Sequence, residues 1–413
     1  MYVKLDKRVA EICGLDPNQI YRVHKYLYGI PDAGRAYYLR YSGLLRDKGY
    51  KQSKFDPCLF HSQPTPDTRL WAWIHVDDTW VAATTPELKH KFIQDCSSTF
   101  EVTVEPADNY LGVHYEKLPN GSVKKTQKKL LEELFIKHEI TDQPRVKTPA
   151  TQTPDNGFVD TTVFPVVRYL SLLGSLLYLL MSRPDIGFAV SFGATKAHAP
   201  TESDWRALKK VLQYLFQTKD KGLIIEKQPK NCPLQMHIMV DASYLLYRDS
   251  KAQTGYSFSL NGIGTFFSKS QKQALVTTSS SHSETRALFT SVTDYVLVEH
   301  ICDEVGRPLT APAICYEDNQ PVVTLMNRDA ALPKASKHFI MLINYCREMI
   351  ASGLISVEKI STRENFADIL TKHVYGADYA YKSQCMLGVQ EDEVVLTPVG
   401  PKSSKSSTAM DEC

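Results

Sequence analysis

The chain has 413 residues, 43% of them hydrophobic and 23% charged, with a formal net charge of +2 and a pI near 8.0. This is the composition of a globular protein with room for two or three domains and a large core, not of a disordered chain. So small a net charge excludes a uniformly basic surface, and any nucleic-acid contact must rest on local clusters. Lys124, Lys125, Lys128 and Lys129 form one, and Lys269 with Lys272 another; taken alone, each is equally well read as a solvated surface. Nine cysteines are scattered without a CxxC pair or a zinc-site spacing, which predicts free thiols in a reducing compartment.

The first six residues lack the pattern of a signal peptide. Residues 32–48 read as a helix, with Leu39, Leu44 and Leu45 among its apolar positions. A strand–turn–strand unit follows, over 70–76 and 79–83 with Asp77-Asp78 between. Residues 146–160, rich in Thr, Pro, Asp and Gly, predict a linker or long loop. Residues 169–218 read as helical, punctuated by Pro184 and Pro200. Within them the longest apolar stretch, 170–181, is interrupted by Ser and Gly and too short to span a bilayer, so it predicts a buried helix. A second polar break lies at 227–233. Beyond it the order is β, β, β, α, β, α, α, β, α, with the first strands over 236–241, 254–260 and 265–269. That order predicts an α/β layered domain with a mixed sheet. The Ser/Lys-rich end, 401–413, predicts disorder.

Four acidic residues stand out in that last region. Asp241 ends an alternating strand run, Glu284 lies on a helix, Asp318 follows the apolar run 313–316, and Asp368 opens a short late helix. Each has a structural alternative. Ser281 to Glu284 matches a capping box, Asn365 could cap the helix that carries Asp368, and Asp318 could start a loop. Glu284, Leu288, Val292 and Tyr295 share a helical spacing that turns Glu284 toward the core, where a carboxylate needs a partner. A divalent metal pair is the natural one, since two ions held by carboxylates about 4 Å apart activate water for phosphodiester cleavage. Asp77 and Asp78 could hold metal at a polymerase centre, but Asp is also a favoured turn residue.

Ordered motifs along about nine-tenths of the chain resemble the C-terminal part of a Ty1/copia-type retrotransposon Pol polyprotein. They are Leu27-Tyr28-Gly29-Ile30, Phe55-Asp56-Pro57-Cys58, His75-Val76-Asp77-Asp78, Tyr110-Leu111-Gly112, Arg183-Pro184-Asp185-Ile186, Val240-Asp241-Ala242-Ser243, Ser280 to Leu288, Glu317-Asp318-Asn319-Gln320, Ser336-Lys337-His338 and Ala367 to Lys372. The resemblance implies a partial reverse transcriptase palm over 1–145, running into a thumb, and a linker with a helical thumb or connection over 146–230. An RNase H-like mixed sheet flanked by helices would occupy 231–378, and a tail 379–413. It implies that Asp241, Glu284, Asp318 and Asp368 are RNase H carboxylates holding two Mg2+ ions, with Mn2+ as the alternative ion. Asp77 and Asp78 would be the remainder of a polymerase metal site. The implied partners are RNA–DNA hybrid and template-primer nucleic acid, with other Pol or Gag products as further ones and no membrane. The implied location is intracellular, in a cytoplasmic particle or the nucleus.

Three departures qualify this. The family's third polymerase carboxylate lies upstream of the Tyr28 segment and is not in the chain. Pro31-Asp32 stands where the family has Lys-Gln, and His75 replaces an aromatic. The expectation is an RNase H that hydrolyses the RNA of a hybrid, with polymerase activity lost. The rival is a non-catalytic nucleic-acid-binding remnant. An integrase-type transferase is disfavoured, because its acidic order is D-D-E and not D-E-D-D.

Overall fold

A computed structural model of the chain describes residues 2–23, 32–142, 144–150, 160–229, 232–328 and 339–389. The first strands, β1 (Tyr2–Lys4) and β2 (Ile20–Arg22), pair antiparallel around α1 (Lys7–Cys13). The helix predicted over 32–48 is α2 (Ala33–Asp47). It packs on an antiparallel sheet of β3 (Lys51–Gln52), β4 (Leu59–Thr65), β5 (Thr68–His75) and β6 (Asp78–Ala83), together with α3 (Pro86–Ser97). Leu70, Ala72 and Ile74, alternate residues of β5, face this core with Tyr41, Leu45, Phe60 and Phe92. His75 pairs with Asp78, so the hairpin turn is Val76-Asp77, one residue earlier than alternation alone suggests. A two-residue connection fits the twist of the strands. It puts Val76 at φ 55°, a region β-branched residues rarely adopt.

A second sheet has the order β10-β9-β8-β7, from β7 (Asn109–Tyr110), β8 (Val113–Lys117), β9 (Val123–Thr126) and β10 (Leu223–Ile225). Between β9 and β10 come α4 (Lys128–Lys137), α5 (Val166–Leu179), a 3-10 turn (Pro184–Ile186), α6 (Gly187–Ala194) and α7 (Glu202–Gln217). Pro184 opens the 3-10 turn and Pro200 lies between α6 and α7, positions where a missing N–H breaks no helical hydrogen bond. Thr201 and Asp204 close a capping box on α7. Of the expected linker, residues 151–159 lie outside the described residues, while the Val146 N–H donates to Gln217 on α7 at 2.9 Å.

The third sheet has the order β13-β12-β11-β14-β15: β11 (Gln235–Ser243), β12 (Lys251–Leu260), β13 (Ile263–Val276), β14 (Thr310–Glu317) and β15 (Ile355–Lys359). The β11–β12 and β12–β13 pairs are antiparallel; β11–β14 and β14–β15 are parallel. Around it stand α8 (Ser280–Glu304), α9 (Gln320–Asn327), α10 (Ile340–Ala351), a 3-10 helix (Phe366–Leu370) and α11 (Gly376–Leu387). This mixed sheet is an RNase H-like arrangement, in the element order expected. The strands run longer than the hydrophobic pattern suggests. β12 is buried at every position between its ends, because both its faces are covered, and a two-sided strand loses its alternation.

Two cores meet across this sheet. Met236, Ile238 and Val240 pack with Leu288 and Val292 of α8 and Ile343 of α10. Met239, on the opposite face, packs with Phe366, Ala367 and Leu370 in a core shared with α5, α6 and α7. The central helices and the last sheet are thus joined by one continuous apolar layer, and that layer carries the segment bearing Asp368.

Candidate active site and metal centre

Asp241 lies near the end of β11, paired with Gly255 of β12. Glu284 lies in the second turn of α8. The α8 cap is Ser279, whose Oγ accepts the His282 N–H at 3.1 Å. The helix therefore starts before the Ser281 cap that a capping box would use, and Glu284 is left out of the capping. Asp318 is the first residue after β14. Strand end, helix and strand end bring one carboxylate oxygen each from Asp241, Glu284 and Asp318 within 4.8 Å of one another. Asp241 and Glu284 are buried and Asp318 is half-buried.

Burial pushes the Asp241 carboxyl up to about 6; Asp368 and Asp318 add to this, while Lys372 and the Thr371 hydroxyl oppose it. Burial also raises Glu284 well above the carboxylate range, with Asp241, Glu317 and Asp318 adding. Glu317, the last residue of β14, was not singled out among the sequence candidates. It is fully buried and pushed up to about 8 by burial, although the Asn319 N–H, donating to its Oε1 at 2.9 Å, works the other way. Glu284 Oε2 and Glu317 Oε2 accept no hydrogen bond from the protein. Carboxylates gathered in this way are costly unless a cation joins them. An all-oxygen donor set fits Mg2+ or Mn2+.

Asp368 stands apart from this trio. Its 3-10 helix is capped by Asn365, whose Oδ1 accepts the Ala367 N–H at 3.1 Å and whose Nδ2 donates to the Val240 carbonyl at 2.8 Å. The Asp368 carboxylate is buried, but two lysines hold it: Lys372 contacts Oδ1 and Lys382 of α11 lies 2.5 Å from Oδ2. Lys372 also approaches Asp241 Oδ2 to 3.6 Å, and the Thr371 hydroxyl donates to that same oxygen. Lys372 had a sequence signal, four residues after Asp368. Lys382, fourteen residues on, had none.

Gly255 makes this crowding possible. A Cβ there would lie 2.6 Å from the Thr371 methyl, 2.7 Å from Leu370 Cβ and 3.2 Å from the Ala367 carbonyl. Gly255→Ala is expected to push the 367–371 segment off Asp241 and cost about 1–3 kcal/mol, as overpacking does. Chemical denaturation of the purified variant checks this; a change below about 0.5 kcal/mol would contradict the close approach.

A family model described as reverse transcriptase (RNA-dependent DNA polymerase) matches residues 2–152. The retrovirus-related Pol polyprotein from transposon RE1 of Arabidopsis thaliana is 29% identical over 358 residues, covering 86% of this chain and 24% of the relative. That from transposon TNT 1-94 of Nicotiana tabacum is 26% identical over 368 residues, covering 86% and 27%. These matches support a copia-type retrotransposon Pol fragment. The chain spans about a quarter of the length of these relatives. Among solved structures it is similar to the N-terminal RNase H domain of a Mycobacterium tuberculosis protein, at 16% identity and a TM-score of 0.26, over 37% of this chain and 97% of that one. So loose an overlay carries no argument, and the fold rests on the strand order described above.

The acidic pair Asp77-Asp78 is placed differently. Asp77 in the hairpin turn and Asp78 at the start of β6 are both exposed. Among the described residues, no third His, Cys, Asp or Glu joins them in a metal-sized group. Residues 24–31, including the Tyr28 segment and Pro31, and residues 336–338 lie outside the described residues. Asp32 sits at the N-cap of α2 without a side-chain capping bond. The basic clusters are partly engaged. Lys269 pairs with Asp294 at 3.1 Å and Lys272 with Asp249 at 2.9 Å. Lys124 donates to the Asp220 carbonyl at 2.8 Å, and Lys125 lies over the Tyr115 ring. Among the described residues no helix is long and apolar enough to cross a membrane.

Proposed function

We propose that the chain hydrolyses the RNA strand of an RNA–DNA hybrid with a divalent metal, through an RNase H site at Asp241, Glu284 and Asp318. The single observation that carries this is the meeting of those three carboxylates within 4.8 Å at the end of a mixed sheet. When bound, Mg2+ or Mn2+ would supply the Lewis acid that activates water and stabilises the leaving oxygen. Asp241, Glu284 and Asp318 would hold it. The Thr371 hydroxyl and Lys372 orient Asp241 through its Oδ2. The substrate would be recognised by duplex shape and the 2′-hydroxyl, not by base sequence.

Asp368 is assigned here to fixing Lys372 beside Asp241, and the lysine contacts support that role. The polymerase activity of the longer family members is proposed to be absent from this chain, since exposed Asp77 and Asp78 gain no third carboxylate among the described residues. We divide the chain near residues 145 and 230. The last unit is extended to Leu387, because residue 378 falls inside α11 and Lys382 would be lost with it.

The test is cleavage of end-labelled RNA, in a hybrid and as a single strand, by the full chain with Mg2+. Cleavage of the hybrid alone, reduced at least about a hundredfold by Asp318→Asn, is expected. No cleavage by the folded, Mg2+-replete chain would favour a binding remnant instead.

A further inference from the structure

We propose that the Lys372 ammonium, lodged between Asp241 and Asp368, holds the place of a second divalent ion, so that this chain binds one metal ion, at Asp241, Glu284 and Asp318. The proposal rests on reading the carboxylate cluster as a metal centre. A second ion shared by Asp241 and Asp368 would have to stand about 2.0–2.1 Å from an oxygen of each, and about 3.5–4 Å from the first ion. Lys372 Nζ already touches Asp368 Oδ1 and lies 3.6 Å from Asp241 Oδ2. An ammonium and a metal ion cannot both occupy that gap, and their like charges repel at such range.

The remaining oxygens offer no detour. Asp368 Oδ2 is taken by Lys382 at 2.5 Å, and Lys382 reaches Asp378 at 3.2 Å as well. The Lys382 side chain is only 2% exposed, so it cannot swing into solvent to release Asp368. Asp241 Oδ2 also accepts the Thr371 hydroxyl. Protein cations and donors thus fill the Asp241–Asp368 side. On the other side Glu284 Oε2, in a side chain more than nine-tenths buried, has no protein partner. The asymmetry leaves one side of Asp241 to a cation from outside the protein. Lys372, its side chain 39% exposed, is the cation whose removal would open the Asp241–Asp368 gap.

The experiment is a Mn2+ titration of the full chain, counting bound ions and recording their electron paramagnetic resonance spectrum. Wild type and Lys372→Arg are expected to bind one Mn2+ with the resolved hyperfine pattern of an isolated ion. Lys372→Met keeps the stem without the charge, and should bind two, with the spectrum broadened by spin coupling. Asp318→Asn should lose the ion seen in wild type. Two coupled ions in wild type would overturn the proposal and leave the RNase H reading intact. One ion in both wild type and Lys372→Met, with circular dichroism unchanged, would also overturn it, since Lys372 would then not be what excludes the second. No bound ion in wild type would overturn the metal-centre reading itself, and this proposal with it.

Discussion

Arg183→Met is expected to destabilise the full chain by about 3–5 kcal/mol, the cost of leaving a buried charge without its partner. Arg183 is fully buried, and its Nε and Nη2 donate to Asp185 Oδ1 and Oδ2 at 2.9 and 2.8 Å. Its remaining donors reach the Thr218 carbonyl at 3.0 Å and the Thr218 hydroxyl at 2.9 Å. Asp185 Oδ2 also accepts the Tyr214 hydroxyl at 2.7 Å and the Ser383 hydroxyl at 3.3 Å, while Tyr379 donates to the Asp185 carbonyl at 3.0 Å. Burial works to raise the Asp185 carboxyl, but the guanidinium and the Tyr214 hydroxyl outweigh it and hold it below its ordinary value. The hub fastens α11 to the central helices and so holds Lys382 against Asp368. Chemical denaturation checks the magnitude. The double variant Arg183→Met/Asp185→Leu should recover part of the loss, because no charge is then stranded. A single variant within about 0.5 kcal/mol of wild type would contradict the hub.

Asp241→Asn should have the opposite effect on stability. At pH 8 without divalent metal, it is expected to be more stable than wild type by about 2–3 kcal/mol, the equivalent of a carboxyl raised from 3.8 to about 6. The sign follows from proton linkage. A carboxyl raised on folding binds its proton more tightly in the native state. Its favourable contribution is full below the unfolded pKa near 4 and is lost as pH rises through the folded value. Asp241 loses it around pH 6 and Glu317 around pH 8, so metal-free wild type should weaken steadily from about pH 4 to pH 8. Mg2+ should restore wild type at pH 8 and do little for Asp241→Asn, since binding to the folded state alone stabilises it. Thermal melts at pH 5 and pH 8, with chelator and with Mg2+, check this. A flat wild-type profile, or a variant weaker than wild type at pH 8, would contradict it.

Much of the site was legible because it is local in sequence. Asp241 closes an apolar strand run, Asp318 follows another, and Glu284 shares a helical stripe with Leu288, Val292 and Tyr295. The order of strands and helices in the last region followed from hydrophobic period and length. What escaped depends on contacts between distant segments. Lys382 neutralises Asp368 only because α11 folds back through Tyr379 and Ser383 onto Asp185. Glu317 continues the face of Cys315 into the core, and nothing in its neighbours distinguishes it from a strand-end surface residue. Gly255 is required by a segment more than a hundred residues away. The extent of β12 was underread because a strand covered on both faces shows no alternation.

The most direct measurement is the chemistry of the cut ends. Metal-assisted attack by water leaves a 5′-phosphate and a 3′-hydroxyl, whereas attack by the neighbouring 2′-hydroxyl leaves a cyclic phosphate. The full chain, given an RNA–DNA hybrid and Mg2+, should yield RNA fragments with 5′-phosphate and 3′-hydroxyl ends, and Glu284→Gln should yield almost none. Cyclic phosphate ends that persist in Glu284→Gln, or an intact hybrid after incubation with the folded wild-type chain, would contradict an RNase H centre at Asp241, Glu284 and Asp318.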